Sequence, residues 1–314
     1  MKTPAYLGID IGGTNIKGAV GDCRGTLLAR SEVQTKAELG PEGVLDRVEE
    51  LALGILEQAH LDLDDVAALG LGVPGLIDFQ RGMVIHAPNL RWEQLRVREL
   101  LESRLGRTVY IDNDANLAAL GEKWLGAGRV FRSFLMVTIG TGIGSGLILN
   151  DQLYRGSHGL APELGHIVVR SQNGYRCNCG SWGCLETEVA APAIVRRARA
   201  CGVEPKADGS LEARDVFARA ILGDEKCLLV VQETAEILGT ALANCNLMLD
   251  LDGIVIGGGV AQAKELLLNQ LTDVIVQRSP FFSARGFRPK VVLAELGNLA
   301  GCIGAIRLAQ MESK

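Results

Sequence analysis

Two glycine-rich segments constrain the fold of this chain more than any other feature. Asp10–Gly18 and Thr138–Gly146 each place a glycine turn between two short apolar runs that are typical of buried strands. Chance similarity of glycine hairpins is the alternative explanation. If the match is real, the chain contains two similar domains that face each other across a cleft, each with one turn whose backbone N–H groups form an anion-binding concavity. The matched pairs are Ile11 and Ile139, Gly12 and Gly140, and Gly18 and Gly146.

Strand-like and helix-like segments alternate along the rest of the chain, which indicates α/β layers. The length of 314 residues favours two domains. We predict an N-terminal α/β domain over 1–117, completed by a C-terminal helix over 299–314, and a larger α/β domain over 118–298. Strands are predicted at 6–11, 16–20, 26–34, 66–73, 108–111, 135–139, 146–149, 253–256 and 291–293. Helices are predicted at 41–60, 98–105, 114–124, 230–249 and 300–311, with a further helix opened by 257–259.

Composition excludes several classes of protein. The net charge is −5, and no cluster of Lys and Arg is dense enough to follow a nucleic-acid backbone. No apolar run approaches the roughly 20 residues that span a bilayer. The first residues lead directly into a strand-like run and do not resemble a signal peptide. We therefore expect a cytoplasmic enzyme acting on a small molecule, with neither nucleic acid nor membrane as partner.

A cluster of metal-ligand residues lies between 163 and 186. Cys177, Cys179 and Cys184 follow His166, a set that suits a closed tetrahedral zinc site. The Cys-x-Cys spacing is tighter than the usual Cys-x2-4-Cys pair, so buried structural thiols or a disulfide are the alternatives. The absence of a signal peptide disfavours the disulfide. Folding this segment around a metal would also bring two flanking carboxylates, Glu163 and Glu186, near each other.

The glycine turns do not match the common phosphate-binding motifs. The chain has no Gly-x4-Gly-Lys-Ser/Thr loop and no protein-kinase set of Lys, His-Arg-Asp and Asp-Phe-Gly. The run from Gly140 to Gly144 superficially resembles a dinucleotide-binding fingerprint, but it leads into a strand-like run where that motif requires a helix. Asp10 is an ionisable residue within an apolar strand, so it needs a partner.

Taken together, the motifs resemble the ROK family of repressors, open reading frames and sugar kinases. They appear in the family's order and span nearly the whole chain. The resemblance implies an actin-like ATPase (ribonuclease H-like) fold with two α/β domains around a central cleft, and a homodimer or a higher homo-oligomer. The motifs are Asp10-Ile-Gly-Gly-Thr-Asn15, Gly72-Val-Pro-Gly75, Asn113-Asp114-Ala-Asn116, the turn 138–146, Glu163-Leu-Gly-His166, Cys-x-Cys-x4-Cys and Gly257-Gly-Gly-Val.

The resemblance also implies roles for residues around a sugar. Asp114 corresponds to the family's catalytic base, although from position alone it equally well caps a helix. A helix N-terminus should lower the pKa of this carboxyl, which would keep it ionised but make it a weak base. In phosphoryl transfer through a loose transition state, a weak base is sufficient. The sugar-contacting positions that the resemblance implies are Gly75, Asn89, Asn113, Asp114, Glu163, His166 and Glu186.

For the nucleotide, the resemblance implies ATP bound by both glycine turns, with Mg²⁺ held by Asp10 through water. Lys17 is either a phosphate ligand or a solvated turn lysine. Zn²⁺ would be structural, with His166, Cys177, Cys179 and Cys184 as its ligands and no open coordination position. The nucleotide-contacting positions are Asp10, Gly12, Gly13, Thr14, Lys17, Thr138, Gly140, Thr141, Gly142, Gly257, Gly258 and Gly259.

The function that the resemblance implies is an ATP-dependent hexose kinase that phosphorylates a terminal hydroxyl. Glucose is the first choice of substrate, and N-acetylmannosamine, N-acetylglucosamine and fructose are alternatives. A sugar-responsive repressor is disfavoured because only nine residues precede Asp10 and none forms a basic helix. A sugar sensor without catalysis is disfavoured because Asp10 and Asp114 are both present. Leu299 stands where many relatives carry Asp, so no role is assigned to it.

Overall fold

The computed structural model describes residues 4–259, 264–288 and 290–313. The chain divides into two units, each described here by itself. Unit 1 comprises Met1–Val130, Gly146–Pro162 and Glu295–Lys314, and unit 2 comprises Phe131–Ser145 and Glu163–Ala294. The division predicted at residues 117/118 and 298/299 stays a prediction, and residue 314 of the predicted last helix lies outside the described residues.

Strands and helices alternate along the chain, as the sequence predicts. The strands are β1 (Ala5–Ile11), β2 (Asn15–Asp22), β3 (Leu27–Gln34), β4 (Val66–Val73), β5 (Leu76–Asp78), β6 (Met83–Ala87), β7 (Trp92–Leu95), β8 (Val109–Asn113), β9 (Phe134–Ile139), β10 (Ile143–Leu149), β11 (Gln152–Tyr154), β12 (Gly253–Gly257) and β13 (Lys290–Leu293). The helices are α1 (Gly40–Gln58), α2 (Val97–Leu105), α3 (Asp114–Leu125), α4 (Leu185–Val189), α5 (Ala191–Ala200), α6 (Ala213–Ile221), α7 (Glu225–Leu249), α8 (Lys264–Arg278), α9 (Pro280–Ser283) and α10 (Ala300–Glu312).

The first sheet has the order β3-β2-β1-β4-β8. The β1–β2 and β2–β3 pairs are antiparallel, whereas β4 is parallel to both β1 and β8. The apolar stripe of α1 covers one face of this sheet. Helix α10 approaches the backbone of the sheet closely, since a Cβ on Gly70 would lie 1.9 Å from the Ala305 carbonyl oxygen. Two glycines in adjacent strands, Gly8 and Gly70, thus allow the N-terminal part of α10 to reach the carboxyl end of β1.

The second sheet has the order β11-β10-β9-β12-β13. Strand β12 is parallel to β9 and to β13, as β4 is parallel to its two neighbours in the first sheet. Each sheet therefore consists of three sequential strands followed by two parallel ones. This shared order confirms that the repeat of the two glycine turns is a repeat of topology.

Several short elements were not predicted from the sequence. A three-stranded sheet, β5-β6-β7, follows the Val-Pro-Gly turn, and helices α4 to α6 follow the cysteine cluster. The helix predicted to open at 257–259 would continue through residues 260–263, which lie outside the described residues, and α8 begins at Lys264. Among the residues that the structure describes, no helix has both the length and the apolar character needed to span a bilayer.

Candidate active site

Asp10 lies near the end of β1 within unit 1, surrounded by residues that leave room for its carboxylate. Lys17 is its cross-strand partner on β2, and Gly72 is its partner on β4. A Cβ on Gly72 would lie 3.0 Å from Asp10 Oδ1, and a Cβ on Gly301 would lie 2.3 Å from Oδ2. Two glycines therefore keep side chains away from this carboxylate.

Asp10 and Asp114, both in unit 1, are carboxyl groups whose charged forms are disfavoured by their surroundings. The pKa of Asp10 is raised to about 7, chiefly by burial and then by the negative charge of Asp114, while the nearby Lys17 partly opposes both effects. Burial also raises the pKa of Asp114, and hydrogen bonds from backbone amides oppose this. A divalent cation near Asp10 would relieve the repulsion between the carboxylates, so the residues fit the predicted Mg²⁺ site.

We expect Asp10→Asn to stabilise the nucleotide-free protein at neutral and alkaline pH. A raised folded-state pKa means that the folded chain binds a proton which the unfolded chain has lost, so stability falls as pH rises from about 4 to 7. Asn does not ionise and so avoids this loss. The free energy of unfolding should therefore rise by an amount on the order of 2 kcal/mol at pH 8, a figure reduced because Asp10 is only half-buried. In thermal melts without Mg²⁺, the Tm of Asp10→Asn should exceed that of the wild type, and the difference in Tm should shrink as the pH is lowered from 8 to 5. An equal difference in Tm at both pH values would contradict the raised pKa of Asp10.

The Asn113–Asp114 pair occupies the junction of β8 and α3, at the carboxyl end of the parallel part of the sheet. Asn113 is the N-cap of α3, because its side-chain oxygen accepts from the amides of Ala115 and Asn116 at 2.9 and 3.3 Å. Its side-chain nitrogen donates to the Gly75 carbonyl at 3.2 Å. Capping is thus carried out by Asn113, which leaves Asp114 as the first residue of the helix.

The predicted direction of the Asp114 pKa is wrong. The helix N-terminus does lower it, through the Ala115 amide that donates to Asp114 Oδ1 at 2.9 Å, but burial outweighs this contribution and the pKa is raised. The reason is that desolvation acts on the whole carboxylate, whereas the helix end supplies few donors. Asp114 is therefore a better proton acceptor than the sequence suggested.

A buried network behind this junction was missed by sequence reasoning. Asp112 precedes the pair, is 2% exposed, and accepts from the Asn116 side chain at 2.9 Å and from Arg155 Nε at 2.6 Å. The Arg155 guanidinium also lies over the Phe79 ring, 4.7 Å from its centroid. Asp112 thus anchors the end of β8 to the segment that follows β11. The sequence signal for this network is the acidic Asp112 at the end of an apolar strand, where a buried carboxylate needs a partner.

The turn at Gly75 and the first glycine turn hold further predicted residues of unit 1, and Gly75 is hydrogen-bonded to Asn113. Gly75 has a φ of 105°, and a Cβ there would lie 2.3 Å from the His86 carbonyl oxygen, so this turn requires glycine. In the first glycine turn, Gly12 donates its amide to the Asn15 carbonyl at 2.9 Å. A Cβ on Gly13 would lie 3.7 Å from Asn89 Cβ, so a predicted nucleotide position and a predicted sugar position are neighbours. Thr14 follows in this turn and is exposed.

Within unit 2, the second glycine turn joins β9 to β10. The Gly140 carbonyl accepts from the Ala191 amide at 2.8 Å, which fixes the turn against the start of α5. Glu186 Oε2 accepts from the Ile143 amide at 3.0 Å, and a Cβ on Gly142 would lie 2.3 Å from that oxygen. Glu186, predicted as a sugar ligand, therefore also supports the turn, in which Thr141 is exposed.

Gly257 and Gly258 lie beside this turn at the end of β12. Gly257 pairs with Thr138 on the neighbouring strand β9. Gly258 has a φ of 84°, and a Cβ there would lie 2.3 Å from the Ile139 carbonyl oxygen, so the backbone approach requires glycine. The predicted nucleotide residues of unit 2 are thus brought together at adjacent strand ends.

The cysteine cluster forms through a tight turn in unit 2. Cys177 donates its amide to the Ser181 carbonyl at 2.8 Å, and Gly180, with a φ of 91°, closes the turn. The four predicted ligand atoms of His166, Cys177, Cys179 and Cys184 all lie within 4.8 Å of one another. His166 Nδ1 is 3.6 Å from Cys177 Sγ, whereas its Nε2 is 3.9 Å from Glu163 Oε2.

These distances fit a tetrahedral zinc site. Zn–S bonds of about 2.3 Å at tetrahedral angles place two sulfurs roughly 3.8 Å apart. Cys179 Sγ and Cys184 Sγ are 3.7 Å apart, which matches that edge. The histidine uses one ring nitrogen toward the cluster, so the other remains available to a ligand on the Glu163 side.

A cavity of about 730 Å³ adjoins the second glycine turn within unit 2. Its lining is largely apolar with three arginines and one glutamate, which suits a nucleotide with its flat base and its anionic phosphates. Sequence reasoning predicted only its glycine-turn residues and Gly259, because α5 and α6 were not predicted. The lining residues are Ile139, Gly140, Thr141, Ala191, Pro192, Val195, Arg196, Arg199, Leu211, Glu212, Ala213, Arg214 and Gly259.

Comparisons with known proteins agree with this geometry. Residues 6–312 match the ROK family. The chain is 37% identical to a glucokinase from Halalkalibacterium halodurans over 97% of this chain and 94% of the relative. A ROK hexokinase structure from Thermus thermophilus is 34% identical, with a TM-score of 0.83 and 98% coverage of both chains.

A second solved structure is a ROK family glucokinase from Streptomyces griseus, in complex with glucose and AMPPNP. It is 33% identical, with a TM-score of 0.84, covering 98% of this chain and 99% of that one. These matches confirm the expected actin-like ATPase (ribonuclease H-like) fold. With matches across nearly its whole length, the chain belongs to the ROK family and, within it, to the ATP-dependent sugar kinases.

Proposed function

We propose that this protein transfers the γ-phosphoryl group of ATP to the 6-hydroxyl of glucose, with Asp114 as general base. The observation that carries the proposal is the position of Asp114. It is a partly buried carboxylate at the carboxyl end of β8, with a raised pKa and with Asp10 as its acidic neighbour. The similarity to glucokinases supports glucose as the sugar.

Asp114 would accept the proton of the attacking hydroxyl. A carboxylate whose pKa lies above its ordinary value holds that proton better than a solvent-exposed aspartate does. In phosphoryl transfer through a loose transition state, the hydroxyl loses its proton late. The position of the Asp114 carboxylate therefore matters more than its basicity. The cap formed by Asn113 and the Asp112–Arg155 ion pair fix the backbone on both sides of Asp114.

Each unit carries polar groups of the kind that bind sugar hydroxyls. In unit 1 these are Asn89, the second N–H of the Asn113 side chain, and the backbone at Gly75. In unit 2 these are Glu163, His166 Nε2 and Glu186, which would form hydrogen bonds with sugar hydroxyls. Hydrogen bonds to each hydroxyl provide specificity because an unmatched polar group would stay unpaired.

The family resemblance assigns phosphate binding to the backbone amides of 12–14 in unit 1 and of 140–142 in unit 2. Lys17 adds positive charge next to Asp10. Gly259 lines the cavity of about 730 Å³ that would take the nucleoside, and Thr138 pairs with Gly257 at neighbouring strand ends. Asp10 would hold Mg²⁺ through water, and the cation would neutralise charge on the phosphates when bound.

We expect about one zinc per chain in the purified protein, bound by His166, Cys177, Cys179 and Cys184. The metal would be structural and would fix the orientation of His166 for the sugar. Cys184→Ser should therefore lose the zinc, and its affinity for glucose should fall by at least about 10-fold, because residues that orient a ligand-binding side chain such as His166 typically contribute about that much. Cys201→Ser, at an exposed cysteine outside the cluster, is the control. Full glucose binding by zinc-free protein would contradict this role.

The choice of sugar is tested by ADP release with Mg-ATP across glucose, N-acetylmannosamine, N-acetylglucosamine and fructose, ranked by kcat/KM. The proposal predicts that glucose ranks first. Preference for an N-acetyl sugar would keep the mechanism and replace the substrate. No turnover with any of the four, in protein that binds glucose, would favour a non-catalytic sugar sensor instead.

A further inference from the structure

The cavity beside the second glycine turn carries more positive charge than its own residues neutralise. Of the charged side chains in its lining, Arg214 and Glu212 pair with each other through contacts of 2.7 and 2.9 Å. Arg196 and Arg199 are the two that remain, and they lie three residues apart on one side of α5. A neutral nucleoside would not require this excess charge, whereas an anionic ligand would.

Two consecutive arginines of α5, Arg196 and Arg197, have different kinds of partner. Arg197 is held by acidic residues, with Nε 3.1 Å from Glu233 Oε2 and Nη2 3.9 Å from Glu188 Oε2. Within the described ranges, Arg196 forms no salt bridge with a carboxylate. Arg197 thus belongs to the internal packing of the unit, whereas the charge of Arg196 stays available on the cavity side.

Arg196 is nevertheless held in a defined orientation. Its guanidinium lies over the Tyr175 ring, 3.6 Å from the centroid, and Nη2 donates to the Thr187 carbonyl at 2.6 Å. That carbonyl uses one of the five N–H donors of an arginine. Stacking on an aromatic ring and one backbone bond fix the plane of the guanidinium without neutralising it.

The start of α5 ties this arginine to the glycine turn. The Ala191 amide at the beginning of α5 donates to the Gly140 carbonyl, and Arg196 follows roughly 7 Å further along the helix axis. Both Gly140 and Arg196 line the one cavity. An anionic chain that starts at the turn can therefore reach the guanidinium.

We propose that Arg196 binds the phosphate chain of the nucleoside triphosphate donor, and that Tyr175 positions it for this role. The inference rests on the proposed kinase function and adds a donor-binding residue that the glycine motifs do not include. Tyr175 lies two residues before Cys177, so the metal-binding segment supplies a side chain that supports the donor site. Sugar-side structure and donor binding are thereby linked within unit 2.

The test compares ligands with and without phosphate. Arg196→Met should raise the KM for ATP and the Kd for ADP by about 10- to 100-fold, the loss expected for a hydrogen bond between charged groups. The Kd for adenosine should change less than threefold. Arg196→Lys should fall between the two, since it keeps the charge without the planar fork. Arg219→Met, on α6 outside the cavity, is the control and should match the wild type.

Tyr175 is tested through the same ligands. Tyr175→Ala should raise the Kd for ADP by about 3- to 30-fold, the range of a partly desolvated cation–π contact, whereas Tyr175→Phe keeps the ring and should have little effect. In the Arg196→Met background, Tyr175→Ala should add nothing further for ADP, because the contact is already lost.

Each result decides the proposal. Equal losses for adenosine and ADP in Arg196→Met would mean that Arg196 only shapes the cavity, and would overturn the inference. ADP binding at wild-type strength in that variant would also overturn it, while glucose phosphorylation by the wild type would leave the proposed function intact. A wild type that binds neither ADP nor ATP would overturn both.

Discussion

Asp114→Asn is expected to lower kcat for glucose phosphorylation by about 10²- to 10⁴-fold, the usual contribution of a general base. Asn is nearly isosteric and can still accept the Ala115 amide, so the start of α3 should keep its geometry. It cannot accept a proton from the sugar hydroxyl. Glucose affinity, measured by calorimetry, should stay within a few fold of the wild type.

The control for this variant is Asp64→Asn, at an exposed aspartate on the surface of the same unit. It should leave kcat unchanged. Substantial turnover by Asp114→Asn with wild-type glucose affinity would show that another group takes the proton. Loss of glucose binding in parallel with kcat would instead make Asp114 a sugar ligand without a separate role as base.

Gly301→Ala is expected to have the second large effect. The new Cβ would lie 2.3 Å from Asp10 Oδ2 and 2.6 Å from Cγ, and both are side-chain atoms that can rotate away. Folding should therefore survive, since Ala also favours the helical conformation of α10. The displaced carboxylate, however, can no longer hold its position, and a shift of about 1 Å near the chemistry costs about 10²-fold. We expect that loss in kcat/KM for Mg-ATP.

Gly54→Ala provides the matched control, because it makes the same substitution in helix α1 where a Cβ meets nothing within 4 Å. It should stabilise the protein by about 0.5–1 kcal/mol through helix propensity alone, with unchanged kcat/KM. Wild-type activity in Gly301→Ala would mean that the Asp10 carboxylate does not need the space which this glycine provides.

The sequence predicted the elements that carry their own periodicity and turn chemistry. The glycine turns after β1 and β9, the strand that ends at Asn113 and the helix that follows it all appear close to their predicted bounds. The cysteine cluster was also predicted, since its spacing suffices to bring four ligand atoms together once Gly180 closes the turn.

What the sequence did not predict depends on burial and on packing between distant segments. The pKa of Asp114 was misjudged because desolvation by tertiary packing is not visible in a local motif, whereas a helix N-terminus is. Arg196 was missed for a similar reason. Its contact with Tyr175 joins α5 to a loop that comes before it in the chain, and short helices such as α4 to α6 have weak periodic signals.

Product identification with glucose and Mg-ATP tests the central claim most directly. The protein is expected to form glucose 6-phosphate and ADP in equal amounts, detected by phosphorus and proton NMR of the reaction mixture. 6-Deoxyglucose should bind but yield no sugar phosphate, because it lacks the attacking hydroxyl. Phosphate on another carbon, or ADP formed without a sugar phosphate, would contradict the account.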